Sequence, residues 1–398
     1  MTRKLLPYGR QWIDDGDIAA VVDALRSDWI TQGELVDKFE SALAAHCGAK
    51  YAVAVSSGTA ALHLSCLAAG IGPGQATLTS PLTFVASANC ALLCGGRPYM
   101  ADIDERTYNI DPNEVERVLN QSTRDSRISA LLPVHLTGQP CNMESIGGIA
   151  RKHGLRVIED ASHALGASWI DSTGLEQQVG NCSHSDMTAF SFHPVKHITT
   201  GEGGAILTNE EALYERLLEL RNHGITKRKE ALRRDHGPWY YEMQGLGLNY
   251  RITDFQCALG MAQLGNLSSW VDRRNEIASA YNEAFRDVED IITPHQLPGT
   301  RSAYHLYSIQ ISNGEVGERR RRIFESLREH NIGVQVHYIP VHLHPYYQDE
   351  LGYREGDFPS AELYYSRCIS LPMFPKMTQV DIDYVIETCV RVVRECSP

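Results

Sequence analysis

Met187-Thr188-Ala189-Phe190-Ser191-Phe192-His193-Pro194-Val195-Lys196-His197-Ile198-Thr199-Thr200-Gly201-Glu202-Gly203-Gly204-Ala205-Ile206-Leu207-Thr208-Asn209 is the stretch whose reading decides the rest of the chain. Its first six residues predict a strand, and Ala205 to Asn209 predict a second short one. Pro194 and the glycines break both and leave Lys196 on a constrained loop between them. A lysine amine in such a place loses its proton on desolvation and can then form a Schiff base with an aldehyde. A loop lysine is more often a solvated charge, so two further segments must decide.

The first is Leu155-Arg156-Val157-Ile158-Glu159, an apolar run that predicts a buried parallel strand ending at Asp160. Ligands bind at that edge of an α/β sheet. An aspartate there can hold a magnesium ion, bond a cationic ring nitrogen, or merely cap the next turn. The second is Tyr51-Ala52-Val53-Ala54-Val55, a predicted strand, followed by Ser56-Ser57-Gly58-Thr59 and a helix from Ala60 to Ala69 stopped by Gly70. Strand, small-residue turn and helix N-terminus make an anion cup, because free N–H groups and the helix dipole converge there. No Walker lysine and no GxGxxG accompany it, so a small phosphate suits it better than a nucleotide. Phosphate cup, strand-end aspartate and loop lysine are together what pyridoxal 5'-phosphate (PLP) needs. The cup anchors the phosphate, the aspartate keeps the ring nitrogen protonated, and the lysine carries the aldehyde.

Several segments extend this pattern: Ile30-Thr31-Gln32-Gly33, Ser57-Gly58-Thr59-Ala60-Ala61-Leu62, Thr83-Phe84-Val85-Ala86, Glu159-Asp160-Ala161-Ser162-His163-Ala164 and Leu248-Asn249-Tyr250-Arg251-Ile252-Thr253-Asp254-Phe255-Gln256. With the Lys196 loop they make a chain that resembles, nearly end to end, the DegT/StrS family of PLP-dependent nucleotide-sugar aminotransferases. The resemblance implies fold type I: a large, mostly parallel α/β/α sheet domain with a smaller C-terminal α/β domain. It also implies roles. Lys196 would bind the cofactor covalently and shuttle protons. Asp160 would pair with the pyridinium, His163 would lie near the ring and its phenolic oxygen, and Phe84 would stack on the ring. Gly58, Thr59 and Ser191 would hold the phosphate, and Asn249 of a second subunit would complete that site. The implied assembly is a homodimer with shared active sites.

A narrower likeness rests on His236-Gly237-Pro238-Trp239-Tyr240-Tyr241-Glu242-Met243 and on Val336-His337-Tyr338-Ile339-Pro340-Val341-His342 with His344-Pro345-Tyr346-Tyr347. These are similar to the branch that makes UDP-4-amino-4,6-dideoxy-N-acetyl-β-L-altrosamine on the route to pseudaminic acid. His236 and Phe255 depart from that branch's usual aspartate and isoleucine. The implied reaction takes an amino group from L-glutamate to the 4-keto carbon of UDP-2-acetamido-2,6-dideoxy-β-L-arabino-hex-4-ulose. Rival readings are another UDP-4-keto sugar such as UDP-4-keto-arabinose, a non-catalytic PLP-binding regulator, and a magnesium-dependent phosphate-ester enzyme using Asp160.

Composition bounds the rest. With 398 residues, 43% hydrophobic, the chain can bury a full core, and two domains are expected, 1–255 and 256–398. A net charge of -12 argues against nucleic acid. An anionic UDP-sugar therefore needs a local basic patch. Lys227-Arg228-Lys229 with Arg233-Arg234 is one candidate, beside Trp239, and Tyr338 is a third expected substrate contact. Ten cysteines without a CxxC pair suggest reduced thiols, and no signal peptide or membrane-length apolar run is visible. A cytoplasmic enzyme without membrane contact is the expectation. His337, His342 and His344 lie on a proline-containing loop without a full ligand set, so no metal is expected. Further elements are a helix opened by Asp111-Pro112, a strand from Ile128 to Val134, and a helix from Met143 to His153. Helices from Asp254 to about Leu264 and from Val271 to Arg286 follow, with strands at Tyr304–Ser312 and Val334–Tyr338 and helices near 319–330 and 380–394.

Overall fold

A computed structural model describes residues 4–121, 126–234, 236–312 and 316–396. Seven strands form the central sheet: β1 (Tyr51–Val55), β2 (Gln75–Thr79), β3 (Arg97–Met100), β4 (Arg127–Leu132), β5 (Arg156–Asp160), β6 (Met187–Ser191) and β7 (Gly204–Thr208), in the order β1-β7-β6-β5-β4-β2-β3. Strands β6, β5, β4, β2 and β3 pair in parallel, and β7 runs antiparallel to both of its neighbours. Strand β1 therefore points the same way as β5 and β6. The C-terminal ends of these three strands share one edge, which brings Ser57, Asp160 and Ser191 together. This is the mostly parallel sheet that the family resemblance implies.

Side chains two apart share a sheet face, and β1 shows how both faces are covered. Ala52 and Ala54 pack with Phe39 and Leu43 of helix α1 (Glu34–Cys47) on one side. Val53 and Val55 pack with Leu62 and Leu64 of helix α2 (Gly58–Ala68) on the other. Helix α3 (Ala86–Leu93) begins just after Phe84.

Two expectations are corrected. The two helices read over 254–264 and 271–286 are one 32-residue helix, α4 (Asp254–Phe285). Gly265, Asn266, Ser268 and Ser269 lie between the two. Leu267, Trp270 and Val271, buried against the main core, carry the helix through that stretch, and propensity yields to packing. The strand read over Val334–Tyr338 is reduced to a bridge between Gln335 and Ser370. Val336 turns its N–H onto the Gln335 side chain instead of a neighbouring strand, which frees His337 and Tyr338 to face inward.

A second, antiparallel sheet consists of β8 (Ile291–Ile292), β9 (Tyr307–Ile311) and β10 (Cys368–Leu371). Its core joins Ile309, Ile311, Ile369 and Leu371 to Ile323 and Leu327 of the helix Val316–Glu329 and to Val385 and Val392 of the helix Gln379–Glu395. Tyr281 and Phe285 at the end of α4 enter the same cluster. Among the described residues, no helix is long and apolar enough to cross a membrane.

Candidate active site

A cavity of about 420 Å³ opens at the shared strand edge. Gly58, Thr59, Phe84, Asp160, His163, Ser191, Lys196 and Tyr338 all line it. A larger concavity of about 910 Å³ lies elsewhere and is rich in acidic residues, including Asp37, Glu211, Glu215 and Glu219. Of the two, the smaller cavity joins an amine, a strand-end carboxylate and a helix N-terminus, which makes it the candidate active site.

Helix α2 starts two residues earlier than its sequence suggested, which makes Gly58 its first residue and Ser57 its cap. The Ser57 hydroxyl accepts from Ala60 N–H at 3.0 Å. The N–H groups of Gly58 and Thr59 have no intrahelical partner and sit at the helix mouth. A Cβ on Gly58 would lie 2.7 Å from Ser191 Cβ and 3.0 Å from Ser191 Oγ. Only glycine lets the helix mouth and the end of β6 come this close.

Asp160 is the last residue of β5 and is nearly buried. Its Oδ2 accepts from Ser87 Oγ at 2.6 Å, and its Oδ1 accepts from the Ser162 N–H at 3.1 Å. Ser87 Oγ in turn lies 2.7 Å from Thr83 Oγ1. With Ser87 donating to the carboxylate, Thr83 donates to Ser87, and the two bonds strengthen each other. Sequence reasoning missed Ser87. Its one signal was the helical spacing of three from Phe84, visible only once Asp160 was known to face that helix. Ser87→Ala should lower kcat/KM about ten- to a hundredfold with the fold intact, since a hydrogen bond to a charged group contributes about 1.5–3 kcal/mol. Steady-state kinetics beside a thermal melt would check this, and an unchanged kcat/KM would contradict it.

The loop of Lys196 is held from within: its N–H donates to His193 O at 2.9 Å, and Thr200 N–H and Thr199 Oγ1 both donate to Phe192 O at 3.0 Å. Burial lowers the Lys196 pKa to about 8, and the Asp160 charge offsets only part of that. The neutral amine therefore dominates above about pH 8 and is lost below it. In protein free of cofactor, reductive methylation of Lys196 by formaldehyde should rise with pH and reach half its plateau near pH 8. A midpoint near the ordinary lysine value of 10.5 would contradict the burial argument.

His163, His305 and His337 line the cavity beside Lys196, and burial first, then the lysine charge, lowers the pKa of each. His305 is positioned by buried Arg274 of α4, whose Nη1 donates to the carbonyls of Tyr304, His305 and Met373 at 3.0, 3.3 and 3.0 Å. Nothing in the sequence around His305 announced it. His163 Nδ1 is buried with no partner among the described residues. An orphaned ring nitrogen, a glycine-only phosphate cradle, a held carboxylate and an easily deprotonated amine fit a phosphorylated aromatic aldehyde.

The DegT/DnrJ/EryC1/StrS aminotransferase family matches residues 11–390. The chain belongs to that family. Its enzymes are PLP-dependent, so this chain is a PLP-dependent aminotransferase of fold type I. It is 43% identical to the spore coat polysaccharide biosynthesis protein SpsC of Bacillus subtilis, over 98% of this chain and 97% of that protein. It is 37% identical to a UDP-4-amino-4,6-dideoxy-N-acetyl-beta-L-altrosamine transaminase of Campylobacter jejuni, over 98% of both. Among solved structures it is similar to Helicobacter pylori PseC, an aminotransferase involved in the biosynthesis of pseudoaminic acid. The TM-score is 0.88 at 30% identity, covering 98% of this chain and all (100%) of that one.

Three expected site residues lie outside the cavity of their own chain. Asn249 is exposed, on a segment bridged to Asn222. Arg228 lines the larger concavity and is ion-paired with Glu215 and Glu219. Trp239 is 74% exposed. Of the loop histidines, His337 bonds Ser370 Oγ through Nδ1 at 2.9 Å, and buried His342 pairs with Glu362 at 2.7 Å.

Proposed function

We propose that the enzyme transfers the amino group of L-glutamate to the 4-keto carbon of UDP-2-acetamido-2,6-dideoxy-β-L-arabino-hex-4-ulose, giving UDP-4-amino-4,6-dideoxy-N-acetyl-β-L-altrosamine. The observation that carries this is the joining of Lys196 and Asp160 at one strand edge in a chain similar throughout to a transaminase named for that product. PLP, when bound, supplies the carbonyl that takes up the amino group and the ring that takes up the electron pair. The chain's own residues do the rest. The N–H groups of Gly58 and Thr59 and the Ser191 hydroxyl bind the phosphate. Asp160, held by Ser87 and Ser162, keeps a proton on the ring nitrogen. Phe84 packs on the ring face, and the Lys196 amine holds the cofactor and then moves protons.

The active unit in this reading is a cytoplasmic homodimer, with Asn249 reaching the phosphate of the neighbouring subunit. Trp239, Tyr241, Met243 and Leu246, on the stretch that leads to Asn249, are all more than half exposed in the single chain. Large apolar side chains grouped this way favour cover by a second copy. The same stretch would bring Trp239, with Arg228 near it in sequence, toward the nucleotide, while Tyr338 contacts the sugar from within its own cavity.

A site that bonds the acetamido group should reject a sugar with a bare hydroxyl there, because its own polar groups would be left unpaired. Purified enzyme should therefore show a higher kcat/KM for the L-arabino acetamido sugar than for UDP-4-keto-arabinose or for the D-xylo epimer. Assay against these three, with products identified by NMR, tests the proposal, and preference for either rival sinks it.

A further inference from the structure

We propose that Tyr338 fixes the tautomer of His163, so that the histidine offers a protonated Nδ1 to the ligand as a hydrogen-bond donor. This rests on the reading of the cavity above and gives Tyr338 a positioning role in addition to its contact with the sugar.

Tyr338 Oη lies 3.1 Å from His163 Nε2, with the two rings 20° from parallel. Only one of the two groups can donate across that gap. A phenol is a far stronger acid than the N–H of a neutral imidazole. The imidazole lone pair is also a better acceptor than a phenolic oxygen conjugated with its ring. The favoured polarity is therefore Tyr338 O–H to Nε2, and a neutral imidazole with a bare Nε2 carries its single proton on Nδ1. The charge states agree with this. Burial keeps the Tyr338 hydroxyl protonated. Burial, then the charges of Lys196, His337 and His197, keep His163 neutral.

The proton on Nδ1 then needs an acceptor, since a buried N–H without one is costly. No described residue supplies it. His305, with its ring centre 4.3 Å away, does not serve, because neither of its ring nitrogens makes a hydrogen bond to His163 Nδ1. The missing acceptor is a ligand oxygen, and the class that fits is an anionic one such as a phenolate. A donor on that oxygen favours its charged form and lowers the pH at which the bound chromophore loses its proton.

The test uses protein labelled with ¹⁵N-histidine and free of cofactor. Two-bond proton–nitrogen spectra distinguish a protonated ring nitrogen from a bare one, and His163→Gln assigns the signal. Wild type should show His163 protonated at Nδ1 and bare at Nε2, and Tyr338→Phe should shift it to a mixture of tautomers. In the holoenzyme, Tyr338→Phe should raise the pH midpoint of the visible band by about one unit, with the melting temperature lowered by only a few degrees. A wild-type His163 protonated at Nε2 would overturn the proposal, as would a His163 spectrum unchanged by Tyr338→Phe. The spectra of the cofactor-free protein need no turnover, so they stand apart from any failure of the sugar assay.

Discussion

Lys196→Ala is expected to abolish turnover and the visible absorbance of lysine-bound cofactor, while the protein still takes up the pyridoxamine form. Both halves follow from the division of labour in the cavity. The cup at the mouth of α2 and the Asp160 carboxylate stay in place, because Lys196 touches neither through a hydrogen bond in the structure. The amine that must hold the aldehyde and move protons is lost, and none of the neighbouring groups replaces it. His163, His305 and His337 are kept neutral chiefly by burial, which the substitution leaves in place, and none can form the covalent bond to the aldehyde. Absorbance spectra and a glutamate assay on the purified variant check this. Near-normal activity would show that another residue does the work assigned to Lys196.

Asp160→Asn is the second large effect. Asparagine matches the shape of aspartate: the Ser162 N–H that bonds Oδ1 keeps the amide oxygen, and the amide NH2 takes the place of Oδ2 and donates to Ser87 Oγ, whose hydroxyl turns to the nearby Phe84 carbonyl. Fold and cofactor uptake should therefore survive. A neutral amide cannot keep a proton on the ring nitrogen, so the ring loses its capacity to take up the electron pair. We expect kcat to fall about a thousandfold, or ~4 kcal/mol at 1.36 kcal/mol per factor of ten. A variant within about threefold of wild type would contradict the role, because that is well under the ~1.4 kcal/mol of a single tenfold step.

Much of this was legible in the sequence, and the reason is local. Chain segments that end at a sheet edge announce themselves by a break in an apolar run. Glu159-Asp160, Ser57-Gly58 and Ser191 with the Lys196 loop are all of that kind, and the sheet brings the three breaks together. What stayed hidden depends on contacts distant in sequence. Ser87 reaches Asp160 across 73 positions, and Tyr338 reaches His163 across 175. Neither segment carries a pattern that names its partner. The strand read over Val334–Tyr338 failed for a related reason. Its apolar alternation was genuine, but only Gln335 finds a partner backbone, at Ser370, and the next residues are spent on the cavity. The single long helix α4 was missed because Gly265 looks like a stop until the core on both sides of it is seen.

The most direct test of the central claim follows one nitrogen atom. Holoenzyme is mixed with ¹⁵N-labelled L-glutamate and the L-arabino UDP-2-acetamido-4-keto sugar, and the products are read by NMR. The account predicts ¹⁵N bonded to carbon 4 of the sugar, with one 2-oxoglutarate formed for each amino sugar and no product from the Lys196→Ala enzyme. Label that stays on glutamate while the keto sugar is recovered unchanged would contradict it.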